Sequence, residues 1–296
     1  MTDDGTAVRN VAVIGLGQMG RGIARNLDRA GRLAAAWDAN GEAVRAAGLS
    51  PAVVLAEPSA FGVLGAVIFV VPGSAEIRAV LSGGLLDRPH EREVLIDLTT
   101  SHPSATRELA AQAGATGRAY VDCGMTGGAR AADAGTITLM VGGRAAIIEA
   151  CRPVLDAFAG KVFHVGDTGA GHAMKLIHNM ICHTIFLATS EGCHLAERLG
   201  IPLATAVDVI NAGNARSFVS ERRFPDHIVS GTFDGRSRVA NLAKDLGMAA
   251  DLARQAGLPG PYSALAAQLL ERAMRQGLGE QDFTTLYQHL ERLMGD

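Results

Sequence analysis

Lys175, His178 and Asn179 stand at i, i+3 and i+4, so any helix that contains them carries all three on one face. They close the run Gly169-Ala-Gly171-His-Ala-Met-Lys175-Leu-Ile-His178-Asn179. The two glycines at its start would leave space for a ligand. The positive end of the helix dipole disfavours a second positive charge close by. A lysine placed there is expected to have a lowered pKa, and to exchange a proton with a substrate hydroxyl near neutral pH. Taken alone, the lysine reads first as a solvated surface residue, the usual fate of Lys. His172, His178, Cys182 and His183 lie in the same stretch. No carboxylate is interleaved among them and no His-Glu-x-x-His occurs, so no metal is expected. His178 is expected to pack or hydrogen-bond beside Lys175.

A second chemistry-bearing pattern opens the chain. Val11-Ala12-Val13-Ile14 runs into Gly15-Leu16-Gly17-Gln18-Met19-Gly20, and a helical pattern follows. This is the strand–turn–helix entry of a dinucleotide-binding βαβ unit. Gly15 would permit the tight turn, Gly17 would clear space for the phosphates, and Gly20 would let the helix pack on its strand. The helix N-terminus then offers N–H groups and a positive dipole end to a pyrophosphate. Asp38 follows about twenty positions on, where a carboxylate accepts hydrogen bonds from an adenosine ribose. A 2′-phosphate would meet like charge there, which favours NAD over NADP. Asp38 also reads as a cap for the next helix.

Val70-Val71-Pro72 and Asp97-Leu98-Thr99-Thr100-Ser101 stand at two further strand ends, facing the cofactor's ribose and nicotinamide side or serving as ordinary turns and caps. Asp122-Cys123-Gly124-Met125-Thr126-Gly127-Gly128 follows a short strand. Thr126, Gly127 and Gly128 offer a hydroxyl and exposed N–H groups in a concave turn able to hold a carboxylate, or form a flexible connection. Lys244-Asp245 reads as a charged pair opening a helix.

The elements that must position these residues fall into two halves. In the first, short apolar runs alternate with helical patterns: strands at 11–15, 33–38, 66–71, 94–97, 120–122, 136–141 and 161–165, with helices at 21–30, 103–113 and 145–158. That alternation predicts a doubly wound α/β domain of Rossmann type over residues 1–166. Beyond Gly166 strand-like runs vanish. One long helix is expected from about 171 to 200, then helices at 203–211, 239–257, 261–276 and 282–294, giving an all-helical second domain over 167–296. Residues 1–9 read as a disordered lead-in.

Bulk properties exclude several classes. At 296 residues the chain is long enough for two domains. A net charge of −3 supplies no basic field for nucleic acid. No apolar stretch approaches the ~20 residues of a membrane span. Met1 to Asn10 is polar, without the apolar core of a secretory signal. Four cysteines with no Cys-x-x-Cys spacing point to reduced thiols in the cytoplasm.

Taken in order, the motifs resemble those of the β-hydroxyacid dehydrogenase family, which holds 3-hydroxyisobutyrate dehydrogenase and tartronate semialdehyde reductase and is akin to 6-phosphogluconate dehydrogenase. The resemblance runs from about residue 10 to 293. The glycine fingerprint lies at 15–20, and the substrate loop Asp-x-Pro-Val-Ser-Gly-Gly is matched by 122–128. The catalytic Gly-x-Gly-x-x-x-Lys-x-x-x-Asn is intact at 169–179, and the later Lys-Asp pair is at 244–245. The resemblance implies that Lys175 is the acid/base and that Asn179 holds the substrate or Lys175. It also implies that Thr126, Gly127 and Gly128 bind the substrate carboxylate, and that Thr100 and Lys244 contact the cofactor.

The implied fold is a Rossmann-type domain joined by a long helix to a helical domain, in a homodimer or homotetramer. The implied activity is hydride transfer between NAD and a small 3-hydroxy acid, or reduction of the matching semialdehyde. Gly124, Met125 and Thr126 replace the family's Pro, Val and Ser; Gly124 is expected to loosen the turn, leaving the substrate open. An imine or glyoxylate-type aldehyde reductase is the alternative activity. A catalytically silent nucleotide-sensing module is the alternative class. The intact Lys175 argues against imine reduction, and Lys175 with Asn179 against the silent module.

Overall fold

The computed structural model describes residues 7–295. Seven strands form one sheet: β1 (Val11–Ile14), β2 (Leu33–Trp37), β3 (Ala66–Phe69), β4 (Val94–Asp97), β5 (Ala119–Thr126), β6 (Ile137–Gly142) and β7 (Ala159–Gly166). Their order is β2-β1-β3-β4-β5-β6-β7. All neighbours pair in parallel except β5 with β6. β1, β3 and β4 are buried along their whole length, as the unbroken apolar runs predict for parallel strands covered on both faces. The chain leaves β1 towards β2 and returns on the other side at β3. That reversal is the switch point where open α/β sheets bind ligands, at the carboxyl ends of the strands.

Helices α1 (Gln18–Arg29), α2 (Gly41–Ala47), α3 (Ser74–Val80), α4 (Pro103–Ala115), α5 (Gly128–Ala134) and α6 (Ala145–Leu155) connect the strands. The short helices α2, α3 and α5 lack a periodic pattern long enough to read from sequence. The strand expected at 120–122 extends to Thr126, because its second half pairs with β6: Gly124 lies opposite Met140 and Thr126 opposite Thr138. The lead-in expected at 1–9 falls outside the described residues up to position 6. Val8 is ordered: it is buried, and its N–H donates to the Ala150 carbonyl.

A buried ionic triad fastens the entries of β4 and β5. Glu93 accepts from Arg88 Nη2 at 2.8 Å and from Arg118 Nε at 2.8 Å, and all three side chains are almost wholly buried. The guanidinium groups also donate to the carbonyls of Gly62, Leu86 and Arg88. Glu93→Ala would strand two buried cations. Such a loss costs about 3–5 kcal/mol, so the urea midpoint should fall steeply; a midpoint unchanged from the parent would contradict this account.

Contacts divide the chain into two compact units, 1–175 and 176–296. α7 (Ala170–Arg198) runs across the division. The second unit continues with α8 (Leu203–Ala212), a wide helical segment Val219–Val229, α9 (Val239–Gln255), α10 (Pro261–Arg275) and α11 (Leu286–Gly295). Its core is aromatic at the centre: Phe186 meets Phe283 edge-on at 5.3 Å, and Phe224 meets Tyr287 edge-on at 5.7 Å. The segment at 219–229 was not expected, because Pro225 interrupts its pattern. No disulfide joins the four cysteines. Burial pushes the Cys151 thiol up to about 12, so it stays protonated and unreactive. Among the described residues no helix is long and apolar enough to cross a membrane.

Candidate active site

The glycine loop lies between the end of β1 and the start of α1. Gly15 has φ +96°, and a Cβ there would stand 2.2 Å from the Val70 carbonyl oxygen. A Cβ on Gly20 would stand 1.9 Å from the Gly15 carbonyl oxygen, so the first turn of α1 lies directly on the loop. Gly17 differs from both: a Cβ there meets nothing within 4 Å. The loop is packed at its two ends and open in the middle, beside the first N–H groups of α1, which is the cradle a pyrophosphate needs. Leu16 is buried, Met19 half-buried and Gln18 exposed.

Asp38, just past β2, braces this loop. Its Oδ2 accepts from the Leu16 N–H at 2.6 Å and its Oδ1 from the Asn40 N–H at 2.7 Å. The side chain that caps α2 belongs instead to Asn40, which accepts from the Glu42 N–H. Val71 and Pro72 follow β3 next to Gly15; the Val71 Cγ1 lies 3.1 Å from the place of a Gly15 Cβ. Thr100 follows β4 between two tethered neighbours. The Thr99 hydroxyl donates to Asp97 Oδ1 at 2.6 Å and lies 2.9 Å from the Ser101 hydroxyl. Asp97 also accepts from the Tyr120 hydroxyl at 2.8 Å; burial, followed by this carboxylate, pushes the Tyr120 phenol well above its usual range.

β5 organises the rest of the first unit's site. Side chains alternate along a strand. Val121, Cys123 and Met125 face one core, while Asp122, Gly124 and Thr126 face the opposite way. On that second face lies the head of α7. Asp122 Oδ1 accepts from the Gly169 N–H at 2.7 Å and Oδ2 from the His172 N–H at 2.9 Å, so a fully buried carboxylate caps the helix. The His172 ring shares a 2.7 Å hydrogen bond with the Thr106 hydroxyl, and its Nε2 lies 3.3 Å from the Asp97 carbonyl.

Gly171 does not open space for a ligand: a Cβ there would stand 2.5 Å from the carbonyl oxygens of both Asp122 and Met140. Nor does Gly124 loosen a turn. It lies within the strand, and a Cβ on it would stand 2.5 Å from Lys175 Cβ. Lys175 is therefore brought against β5, two residues from Thr126. Gly127 and Gly128 follow with φ of +122° and +68°, exposed at the start of α5.

In the second unit, Asn179 is buried and its Nδ2 donates to Asp245 Oδ2 at 2.7 Å. Its Oδ1 lies 3.1 Å from His178 Nδ1. One amide hydrogen of Asn179 is thus taken by Asp245, which orients the side chain. Lys244 Nζ lies 3.8 Å from Asp245 Oδ1 and its side chain is partly exposed. Asp245 thus serves two partners, turning one oxygen inward to Asn179 while the other stays in ion-pair range of Lys244. Sequence reasoning had no signal for Asp122 as a cap or for Asp245 as the holder of Asn179, since each acts on residues far along the chain. No group of three His, Cys, Asp or Glu among the described residues converges to hold a metal.

Residues 10–166 match the family model described as the NAD binding domain of 6-phosphogluconate dehydrogenase. Residues 169–290 match the one described as the NAD-binding region of NADP-dependent 3-hydroxyisobutyrate dehydrogenase. The chain is 31% identical to 2-(hydroxymethyl)glutarate dehydrogenase of Eubacterium barkeri over 96% of each chain. The chain belongs to the β-hydroxyacid dehydrogenase family. It is also 33% identical to L-threonate dehydrogenase of Cupriavidus necator, over 93% of each. The solved structure of Mycobacterium tuberculosis 3-hydroxyisobutyrate dehydrogenase with L-serine superposes with a TM-score of 0.86. It shows 28% identity and covers 96% of this chain and 99% of that one. An imine reductase from Pseudomonas sp. is 21% identical at a TM-score of 0.60 and shares the fold. As a β-hydroxyacid dehydrogenase the protein is an oxidoreductase, and NAD is its cofactor. The open middle of the glycine loop and the Asp38 carboxylate fit that group.

Proposed function

We propose that this β-hydroxyacid dehydrogenase oxidises a small 3-hydroxy acid with NAD, and reduces the matching semialdehyde in the reverse direction. Lys175 is the proton-transfer group and the Thr126–Gly128 turn is the carboxylate clamp. The observation that carries the reading is the shared face of β5. Gly124 abuts the stem of Lys175, and Thr126 follows on the same face. Two residues along a strand span about 7 Å, a distance that a lysine side chain and a three-carbon hydroxy acid together bridge.

Thr126 would donate its hydroxyl, and Gly127 and Gly128 their N–H groups, to the carboxylate of the substrate. A carboxylate held there would orient the carbinol towards Lys175. Neutral Lys175 Nζ would then accept the hydroxyl proton as the carbinol hydride leaves, and return it in reduction. NAD would supply the hydride acceptor; the glycine loop of residues 15–20 and Asp38 would hold it with Val71, Pro72 and Thr100, and the family pattern adds Lys244 as a cofactor contact. Asn179, its amide oriented by Asp245, would accept a hydrogen bond from the substrate hydroxyl or from Lys175. Positioning of this kind supplies ~7–11 kcal/mol of barrier reduction.

Relatives named for 2-(hydroxymethyl)glutarate, L-threonate and 3-hydroxyisobutyrate support a small hydroxy acid as the substrate class. The test is a panel of initial rates with NAD and with NADP across 3-hydroxyisobutyrate, glycerate, 3-hydroxypropionate and threonate, with glyoxylate and a cyclic imine assayed in the reductive direction. Oxidation of at least one hydroxy acid with NAD is expected. Activity confined to the imine would overturn the proposal.

The same reading takes residues 1–166 as the dinucleotide-binding domain and 167–296 as the helical domain of a cytoplasmic homodimer or homotetramer. Four thiols without a disulfide suit a reducing compartment. Light scattering of the purified chain measures the assembly.

A further inference from the structure

The head of α7 sits on a floor of three glycines. A Cβ on Gly124 would stand 2.5 Å from Lys175 Cβ and 2.8 Å from the Gly171 carbonyl oxygen. One on Gly142 would stand 2.6 Å from Asp122 Oδ1 and 2.7 Å from the Gly171 nitrogen, and one on Gly171 would strike β5 and β6 at two carbonyl oxygens, 2.5 Å from each. Both strands are thus bare where the helix lands. Above the floor, the Asp122 carboxylate takes two of the N–H groups that begin the helix. The glycines set how closely the helix approaches the sheet, and the cap sets how far along the helix axis it sits. Lys175 lies in the second turn, directly over Gly124.

We propose that Gly124 and Asp122 are positioning residues for the proton-transfer lysine: they fix the height and axial register of the Lys175 Cβ over β5, the strand that also carries Thr126. This rests on the role given to Lys175 above. The atom that a residue-124 side chain would strike is the root of the lysine, not its flexible end. A methyl there cannot be accommodated by rotating Lys175; the helix or the strand must move. Carbon atoms pack at roughly 3.5–4.0 Å, so the displacement is about 1 Å. A misplacement of that size costs on the order of 10²-fold in rate. The glycine that stands where the family pattern has Pro therefore belongs to the lysine's seat.

The test is a double-mutant cycle on the full-length enzyme, using Gly124→Ala, Lys175→Ala and the pair, with the hydroxy acid that the panel finds most active. Gly124→Ala should lower kcat by roughly 10–100-fold, with the NADH Kd from fluorescence titration within about twofold of the parent. In the Lys175→Ala background the same change should do almost nothing, because there is no amine left to misplace. Asp122→Asn, isosteric but with one N–H acceptor lost, should behave in the same way and provides a second route if the alanine variant does not fold. Equal losses in both backgrounds, or an unchanged kcat in Gly124→Ala or in a folded Asp122→Asn, would overturn the inference while leaving Lys175 as the proton-transfer group. A Lys175→Ala enzyme with full turnover would overturn that role itself, and the positioning claim with it.

Discussion

Lys175→Ala should lower kcat by roughly 10²–10⁴-fold, the range supplied by a positioned general acid–base, while NADH binds within about twofold of the parent affinity. The split is expected from the layout of the first unit. The glycine loop, with Gly15 and Gly20 packed and Gly17 open, is braced by Asp38 and belongs to β1, α1 and β2. Lys175 belongs to α7 and β5. The first turn of α7 is held by Asp122 and the glycine floor, upstream of the lysine, so deleting the amine leaves the helix seated. A residual rate that rises on addition of a small primary amine would identify proton transfer as the missing step. A variant with parental kcat would refute the assignment of Lys175.

Asp38→Asn should lower the ratio of kcat/KM for NAD to that for NADP by at least about tenfold, equivalent to ~1.4 kcal/mol. The carboxylate uses one oxygen for the Leu16 N–H and the other for the Asn40 N–H. It is thereby held beside the glycine loop, where its charge would repel a 2′-phosphate. Asparagine removes the charge and, having one carbonyl oxygen, satisfies only one of the two N–H groups. NAD loses a strong ribose acceptor while NADP loses a repulsion, so the two kcat/KM values move in opposite directions. An unchanged ratio would show that discrimination between the cofactors lies elsewhere.

The two substitutions probe parts of the molecule that differ in how far local sequence reveals them. The glycine fingerprint, the apolar runs of β1, β3 and β4 and the long pattern of α7 are local signals. Each is set by residues within a few positions of one another, through strand burial and helix periodicity, and each element lies where its pattern predicts. The α/β alternation that ends near residue 166 and the all-helical remainder follow from the same signals. Short helices escape them, because α2, α3 and α5 each have seven residues and too few turns to show a period.

What local pattern could not contain is the meeting of distant segments. Asp122 and Gly169 are 47 positions apart and Asn179 and Asp245 are 66 apart, and nothing around any of the four marks its partner. Gly124 and Gly171 carry no side chain to read. Their meaning appears only when β5, β6 and α7 are in contact and a Cβ at either place is found to collide with backbone or with the root of Lys175. Chemistry and fold class were therefore inscribed in short motifs, because periodicity and backbone conformation are properties of neighbouring residues. The placing of the lysine over its strand was decided by packing between segments, because close approach is a property of pairs that only the folded chain brings together.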